Sequence, residues 1–257
     1  MSATDELNLA LDLHRAGRLV EAAAAYRRVY ENDQGNADAC YGLGTVLMQQ
    51  KQYAAAAPLL DRALSLEPDV PEFRHNYALA LRGLAREHGE RRDYGAAIET
   101  FEAYMRIKGG DGSDLLAYAD LLLLARKPEE ARKAVEEAMQ AGSDVSAAHL
   151  IAARCARLEG NEDEALDHVR TAIDKRPAFG DAWQMRLEIE GKEELAELAP
   201  VCAKLADDDS LKLRDRSLLS MAAGRAFEKI EDYATAFLQF EKGNVLQRED
   251  QLNRNVS

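Results

Sequence analysis

The sequence predicts an all-α solenoid of about seven stacked antiparallel helix pairs. Three observations point there. Small residues recur at a spacing close to 34. Large apolar residues recur about one helical turn after them, as helix packing against helix requires. The 257 residues hold only 16 Gly and 6 Pro beside 47% hydrophobic residues, which is ample core material and argues against a disordered or collagen-like chain.

The recurrence is clearest at seven alanines, Ala22, Ala56, Ala97, Ala131, Ala165, Ala199 and Ala236. Four of the six intervals between them are 34 residues, one is 41 and one is 37. Twelve residues before each stand Ala10, Gly44, Ala85, Ala119, Ala153, Leu187 and Gly224, small in every case but one. Seven residues after stand Val29, Ala63, Tyr104, Ala138, Ala172, Ala206 and Gly243. Four residues after, the side chain is mostly large: Tyr26, Leu60, Phe101, Val135, Val169, Ala203 and Phe240. Small residues let two helices approach to roughly 8–10 Å, and the large ones fill the space between neighbouring pairs. One pair cannot bury its apolar face alone, so the pairs stack.

Taken in order, the first unit (3–36) breaks at AGRL and the second (37–70) ends at Pro68, where a helix must stop. The third (71–111) carries seven extra residues around LRGLAREHGERRDYG. Seven residues are two helical turns, so the insertion lengthens helices without rotating the apolar face. It closes on Gly109-Gly110-Asp111-Gly112, which reads as a helix C-cap and turn. The fourth (112–145) turns at RKPE; the fifth (146–179) turns at EGNE and ends at Pro177. The sixth (180–216) has Pro200 directly after its marker alanine and an Asp207–Asp209 run. Shorter, irregular helices are expected there, in a stretch (188–209) with eight acidic and two basic residues. The seventh (217–250) is regular and is followed by a polar tail, 251–257. All seven units form one domain, 3–250.

These columns resemble the tetratricopeptide repeat, a 34-residue helix–turn–helix unit, across nearly the whole chain. Trp183 stands at the family's aromatic position in the sixth unit alone. The resemblance implies a right-handed superhelical solenoid whose first helices line a concave groove for a peptide. Carried onto this chain, the groove columns are Asn8 with Leu7 and Leu11, Tyr41 and Thr45, His75 and Asn76, Leu116 and Asp120, Leu150, Arg154 and Arg157, Gln184 and Met185, and Met221 and Arg225. Arg154, Arg157 and Arg225 read as basic spots able to grip a partner's carboxylate. The Lys and Asn set used by chaperone-tail-binding members is not reproduced, since Leu11 and Thr45 stand where further polar donors are needed. The last unit also resembles the end of the repeat region in bacterial proteins that fuse such repeats to a sulfotransferase domain. That likeness rests on Arg214-Asp215-Arg216, Gly224-Arg225-Ala226, Asp232-Tyr233, Ala236-Phe237, Phe240-Glu241 and Gly243-Asn244. It implies an alternative, in which the chain is the N-terminal region of a sulfotransferase-like enzyme.

No nucleophile–base set, metal-ligand spacing or phosphate loop occurs, so no catalysis, no cofactor and no metal are expected. Of the five histidines, His149 falls where first helices pack inward and reads as a core residue. The net charge of −13 disfavours nucleic acid, and no run approaches the ~20 apolar residues that cross a bilayer. Cys40, Cys155 and Cys202 are odd in number and far apart, which fits a reducing, cytoplasmic setting. The expected partner is a protein or peptide. Terminal repeats need a polar outer face, and Val245 and Leu246 leave the last one incompletely capped, so a homodimer through terminal repeats is a further expectation.

Overall fold

The recurrence of small residues every 34 positions folds as helix pairs. The computed structural model describes residues 3–256, and among these there are fourteen α-helices and no strand. They are α1 (Ala3–Arg15), α2 (Leu19–Asn32), α3 (Ala37–Gln49), α4 (Tyr53–Leu66), α5 (Pro71–Glu90), α6 (Tyr94–Lys108), α7 (Gly112–Leu124), α8 (Pro128–Gln140), α9 (Val145–Leu158), α10 (Glu162–Lys175), α11 (Gly180–Ile189), α12 (Lys192–Leu205), α13 (Leu213–Lys229) and α14 (Tyr233–Val256). Odd-numbered helices open a pair and even-numbered helices close it, so the fold class is an all-α solenoid of helix pairs.

All seven marker alanines are buried, six of them completely. The two flanking columns are buried throughout. The packing reason is visible at the glycines. A Cβ on Gly44 would lie 2.7 Å from Leu60 Cγ, and one on Gly224 would lie 2.8 Å from Phe240 Cδ1. The small residue twelve before the marker therefore receives the large residue four after it, across the pair.

A second column sits five residues before the marker. There the chain turns between the helices of a pair through the left-handed region, at Gly17, Lys51, Arg92, Arg126, Gly160 and Glu231. Glycine reaches that region freely, whereas an L-residue with a side chain is strained there by roughly 1–2 kcal/mol. The sixth unit lacks this turn: α11 is only ten residues long, and α12 is a regular fourteen-residue helix with Pro200 inside it. Pro200 has no N–H to offer the Ala196 carbonyl, so one backbone bond of α12 is not made. In the third unit the extra residues sit in α5, which runs for 20 residues against 13 in α3. Several helices start on a side-chain cap, with Asn36, Asp93, Asp144 and Asn161 accepting from backbone N–H groups of the first turn. The stretch expected to be a polar tail from 251 is helical: α14 continues to Val256.

The chain divides into two compact units, residues 1–114 and 115–257. In the first, the core runs from Ala10 through Tyr26, Leu43, Val46 and Leu60 to Leu81 and Tyr104, with a smaller cluster of Ala37, Cys40, Ala63 and Phe73. In the second, it gathers Leu150, Val169, Trp183, Leu187, Leu195, Cys202, Leu219 and Phe227.

Candidate interaction clefts

In unit 1 the opening helices α1 and α3 enclose a cleft of about 850 Å³. Its walls are Leu7, Asn8, Leu11 and Arg15 from α1 and Asp38, Tyr41, Thr45 and Gln49 from α3, with Tyr26 at its base. Helical spacing explains the set: 7, 8, 11 and 15 fall on one face of α1, as 38, 41, 45 and 49 do on α3. Asn76 of α5 donates from Nδ2 to Tyr41 Oη at 2.9 Å and to Thr45 Oγ1 at 3.1 Å. His14 and Gln49 are joined at 3.1 Å. Three groove candidates, Tyr41, Thr45 and Asn76, thus form one hydrogen-bonded cluster. Burial pushes the Tyr41 phenol above its usual pKa, so it stays protonated at neutral pH. Asn8 is exposed at the cleft, while His75 lines a separate cavity with Pro68, Pro71 and Lys108.

In unit 2 a cleft of about 600 Å³ is lined by Asp120, Leu123 and Leu124 of α7, Arg154, Arg157 and Leu158 of α9, and Met185 of α11. Each of its charged residues has a partner of opposite charge. Arg154 Nη1 donates to Asp120 Oδ1 at 2.8 Å, Arg157 Nη1 to Glu188 Oε2 at 3.1 Å, and Arg225 Nη1 lies 3.7 Å from Glu188 Oε1. This corrects the reading of Arg154, Arg157 and Arg225 as basic spots open to a partner's carboxylate: each already has an acidic partner on a neighbouring opening helix. Burial raises the Asp120 carboxyl above its usual range, and Arg154 opposes that rise. Leu116 and Leu150 are core residues rather than groove lining; Met185 belongs to the core and also reaches the cleft. Gln184, Met221 and Arg225 come together at a further, smaller cavity of about 320 Å³ beside Arg214 and Arg254.

The reading of His149 as a core residue needs correction too. It is half-buried and faces His168 of α10, with the two Nδ1 atoms 2.9 Å apart, so one ring donates to the other. Burial first, then His168 and Lys175, lower the His149 pKa and favour the neutral ring. Glu164 lies 3.7 Å from His168 Nε2, yet no group of three His, Cys, Asp or Glu able to hold a metal occurs among the described residues. The three thiols are buried and free, and burial pushes Cys155 up to about 11 and Cys202 up to about 12, far from a nucleophile's range. No helix among the described residues is long and apolar enough to cross a membrane.

Stacked helix pairs whose opening helices frame clefts are the architecture of a protein-interaction scaffold. The chain belongs to the tetratricopeptide repeat family: two family models of that description match residues 13–81 and 116–178, together a little over half of the chain. A tetratricopeptide repeat protein from Parabacteroides merdae shares the fold, with a TM-score of 0.55 at 16% identity over 97% of this chain and 98% of that one. The Vi polysaccharide export protein VexE of Salmonella typhi is 28% identical over 186 residues, which is 69% of this chain. The chain spans about a quarter of that curated relative's length.

Proposed function

We propose that the protein captures a partner's peptide segment on its opening helices, with the α1–α3 cleft of unit 1 as the main seat. The observation that carries this reading is the cleft itself. It is large enough for several side chains, it offers apolar surface at Leu7 and Leu11, and Asn8, Arg15, Asp38 and Gln49 stand at its rim. Leu11 is 39% exposed, so an apolar anchor docking there removes water from surface that the protein leaves unburied. An amphipathic segment with two apolar anchors one or two turns apart fits such a groove. Unit 2 offers Leu124 and Leu158 as a subsidiary anchor site, bordered by groups that already neutralise each other. The free, buried cysteines fit a reducing, cytoplasmic setting.

Peptides selected by display on the whole chain and re-measured on Leu11→Glu test the reading. Selected sequences should share paired apolar anchors and lose about tenfold or more in affinity, some 1.4 kcal/mol, on that variant. Peptides that bind both proteins equally would locate recognition elsewhere.

A second reading makes the chain the repeat region of a longer protein, such as a sulfotransferase-like enzyme. The resemblance in 211–249 favours it, and a relative roughly four times as long is in keeping with it. The coding sequence downstream decides: a strand and phosphate loop after Ser257 would support this reading, and an immediate stop codon would remove it.

A further inference from the structure

We propose that the outer face of α14 is a homodimer interface, on which two copies of this chain pair antiparallel about a two-fold axis at Val245. The helix runs for 24 residues. On its uncovered side Leu238 is 60% exposed, Val245 55% and Leu252 66%. These three are spaced by seven, two helical turns, and so stand in one stripe along the helix. This side of the helix presents a row of aliphatic side chains that no described element covers.

The charges within the stripe select the occupant. Glu241 sits one turn before Val245 and Arg248 one turn after it, both exposed, and neither is engaged in an ion pair among the described residues. A two-fold axis that pairs helices antiparallel brings each residue beside those lying about one turn to the other side of the axis when it lies one turn away itself, and keeps each on the same flank of both helices. With the axis at Val245, Leu238 meets the other copy's Leu252 and Val245 meets its own counterpart. Glu241, four residues before the axis, and the other copy's Arg248, three after it, lie on the same flank and meet with an offset of one residue rise, about 1.5 Å, and the same ion pair forms twice. Parallel pairing would instead set Glu241 on Glu241 and Arg248 on Arg248, which repels. The face is therefore self-complementary in one orientation, as an isologous contact must be. One helix pair buries an area at the low end of specific interfaces, below about 1,200 Å², so the dimer is weak and concentration-dependent.

Sedimentation equilibrium of the full chain over a wide concentration range tests this with two variants at exposed positions. Wild type should show a reversible monomer–dimer equilibrium. Glu241→Arg puts two arginines together at each crossing and should weaken association about tenfold or more. The double exchange Glu241→Arg/Arg248→Glu rebuilds both pairs with reversed polarity and should restore association to near the wild-type value. Circular dichroism should be the same for all three, since neither residue packs in the core. A wild type that is monomeric at every concentration overturns the proposal and leaves the face to a different protein. A dimer that Glu241→Arg leaves unchanged, or that the double exchange fails to restore, overturns it as well.

Discussion

The two units build the same helix-pair geometry and finish its inner face with different chemistry. In unit 1 the bonds between opening helices are neutral: Asn76 to Tyr41 and Thr45, and His14 to Gln49. In unit 2 they are ionic: Arg154 to Asp120, Arg157 to Glu188, and Arg225 close to the same glutamate. Core columns tolerate little variation because they set how closely helices approach. Inner-face columns need only span one repeat, and either hydrogen bonds or ion pairs can do so. Solution conditions should therefore act on the two units unequally.

The largest effect tests whether the two cores respond as separate bodies. Leu60 is completely buried in unit 1 and Leu219 in unit 2. Leu→Ala at such sites costs about 2–5 kcal/mol through lost transfer energy and the cavity left behind. Hydrogen exchange on Leu60→Ala should accelerate mainly within 3–114, and on Leu219→Ala mainly within 115–256. Equal acceleration everywhere for both variants would show a single cooperative body and dissolve the comparison.

The close approaches come next. Gly44→Ala forces a Cβ to within 2.7 Å of Leu60, and Gly224→Ala to within 2.8 Å of the Phe240 ring. Each should cost about 1–3 kcal/mol by overpacking, read as a lower urea midpoint. The effect of opposite sign lies in the turns. Lys51 in unit 1 and Arg126 in unit 2 hold left-handed backbone with side chains, where Gly17 and Gly160 hold it without. Lys51→Gly and Arg126→Gly should each raise stability by about 0.5–1 kcal/mol, the relieved strain exceeding the entropy that glycine loses on folding.

Acid should separate the units further. Neutral His149 is favoured in the fold by burial, by His168 and by Lys175, so its folded pKa lies below the ordinary 6.5. The unfolded chain then binds the proton more readily. This contribution to stability is complete above about 6.5 and is lost as pH falls through the window between the ordinary value and the lowered one. Denaturation followed from pH 8 to pH 5 should show unit 2 weakening below that point, and His149→Asn should flatten this part of the profile. An unchanged profile in the variant would assign the acid sensitivity to other groups.

The repeat made the helices, their order and the buried columns legible in the sequence, because small residues at fixed offsets have one packing meaning. The inner face was legible in position and not in state. Arg154 reads from its column as an inner residue, and Asp120 stands one 34-residue repeat before it, a spacing that announces a partner on the neighbouring helix. Arg157 and Glu188, 31 apart, and Asn76 and Tyr41, 35 apart, follow the same rule. The His149–His168 pair has no repeat-length spacing; it joins the two helices of one pair, nineteen residues apart, so a search along repeat columns passes over it. The left-handed turn column is hidden by chemistry, since only two of its six members are glycine.

The smallest effect bears most directly on the contrast between neutral and ionic inner faces. The Arg154 side chain is 40% exposed and that of Asp120 49%, so solvent screens the pair and its coupling should lie within about 0.2–1 kcal/mol. A double-mutant cycle of Asp120→Asn and Arg154→Gln measures that coupling free of changes each substitution makes elsewhere. Repeated in about 1 M salt, where the Debye length is about 3 Å, the coupling should fall toward zero. The matching cycle in unit 1, Tyr41→Phe with Asn76→Ala, removes a neutral hydrogen bond of about 1 kcal/mol that mobile ions do not screen, and should change little with salt. If both couplings fell together, the ionic character of unit 2 would have no energetic consequence of its own, and the two inner faces would differ in residue type alone.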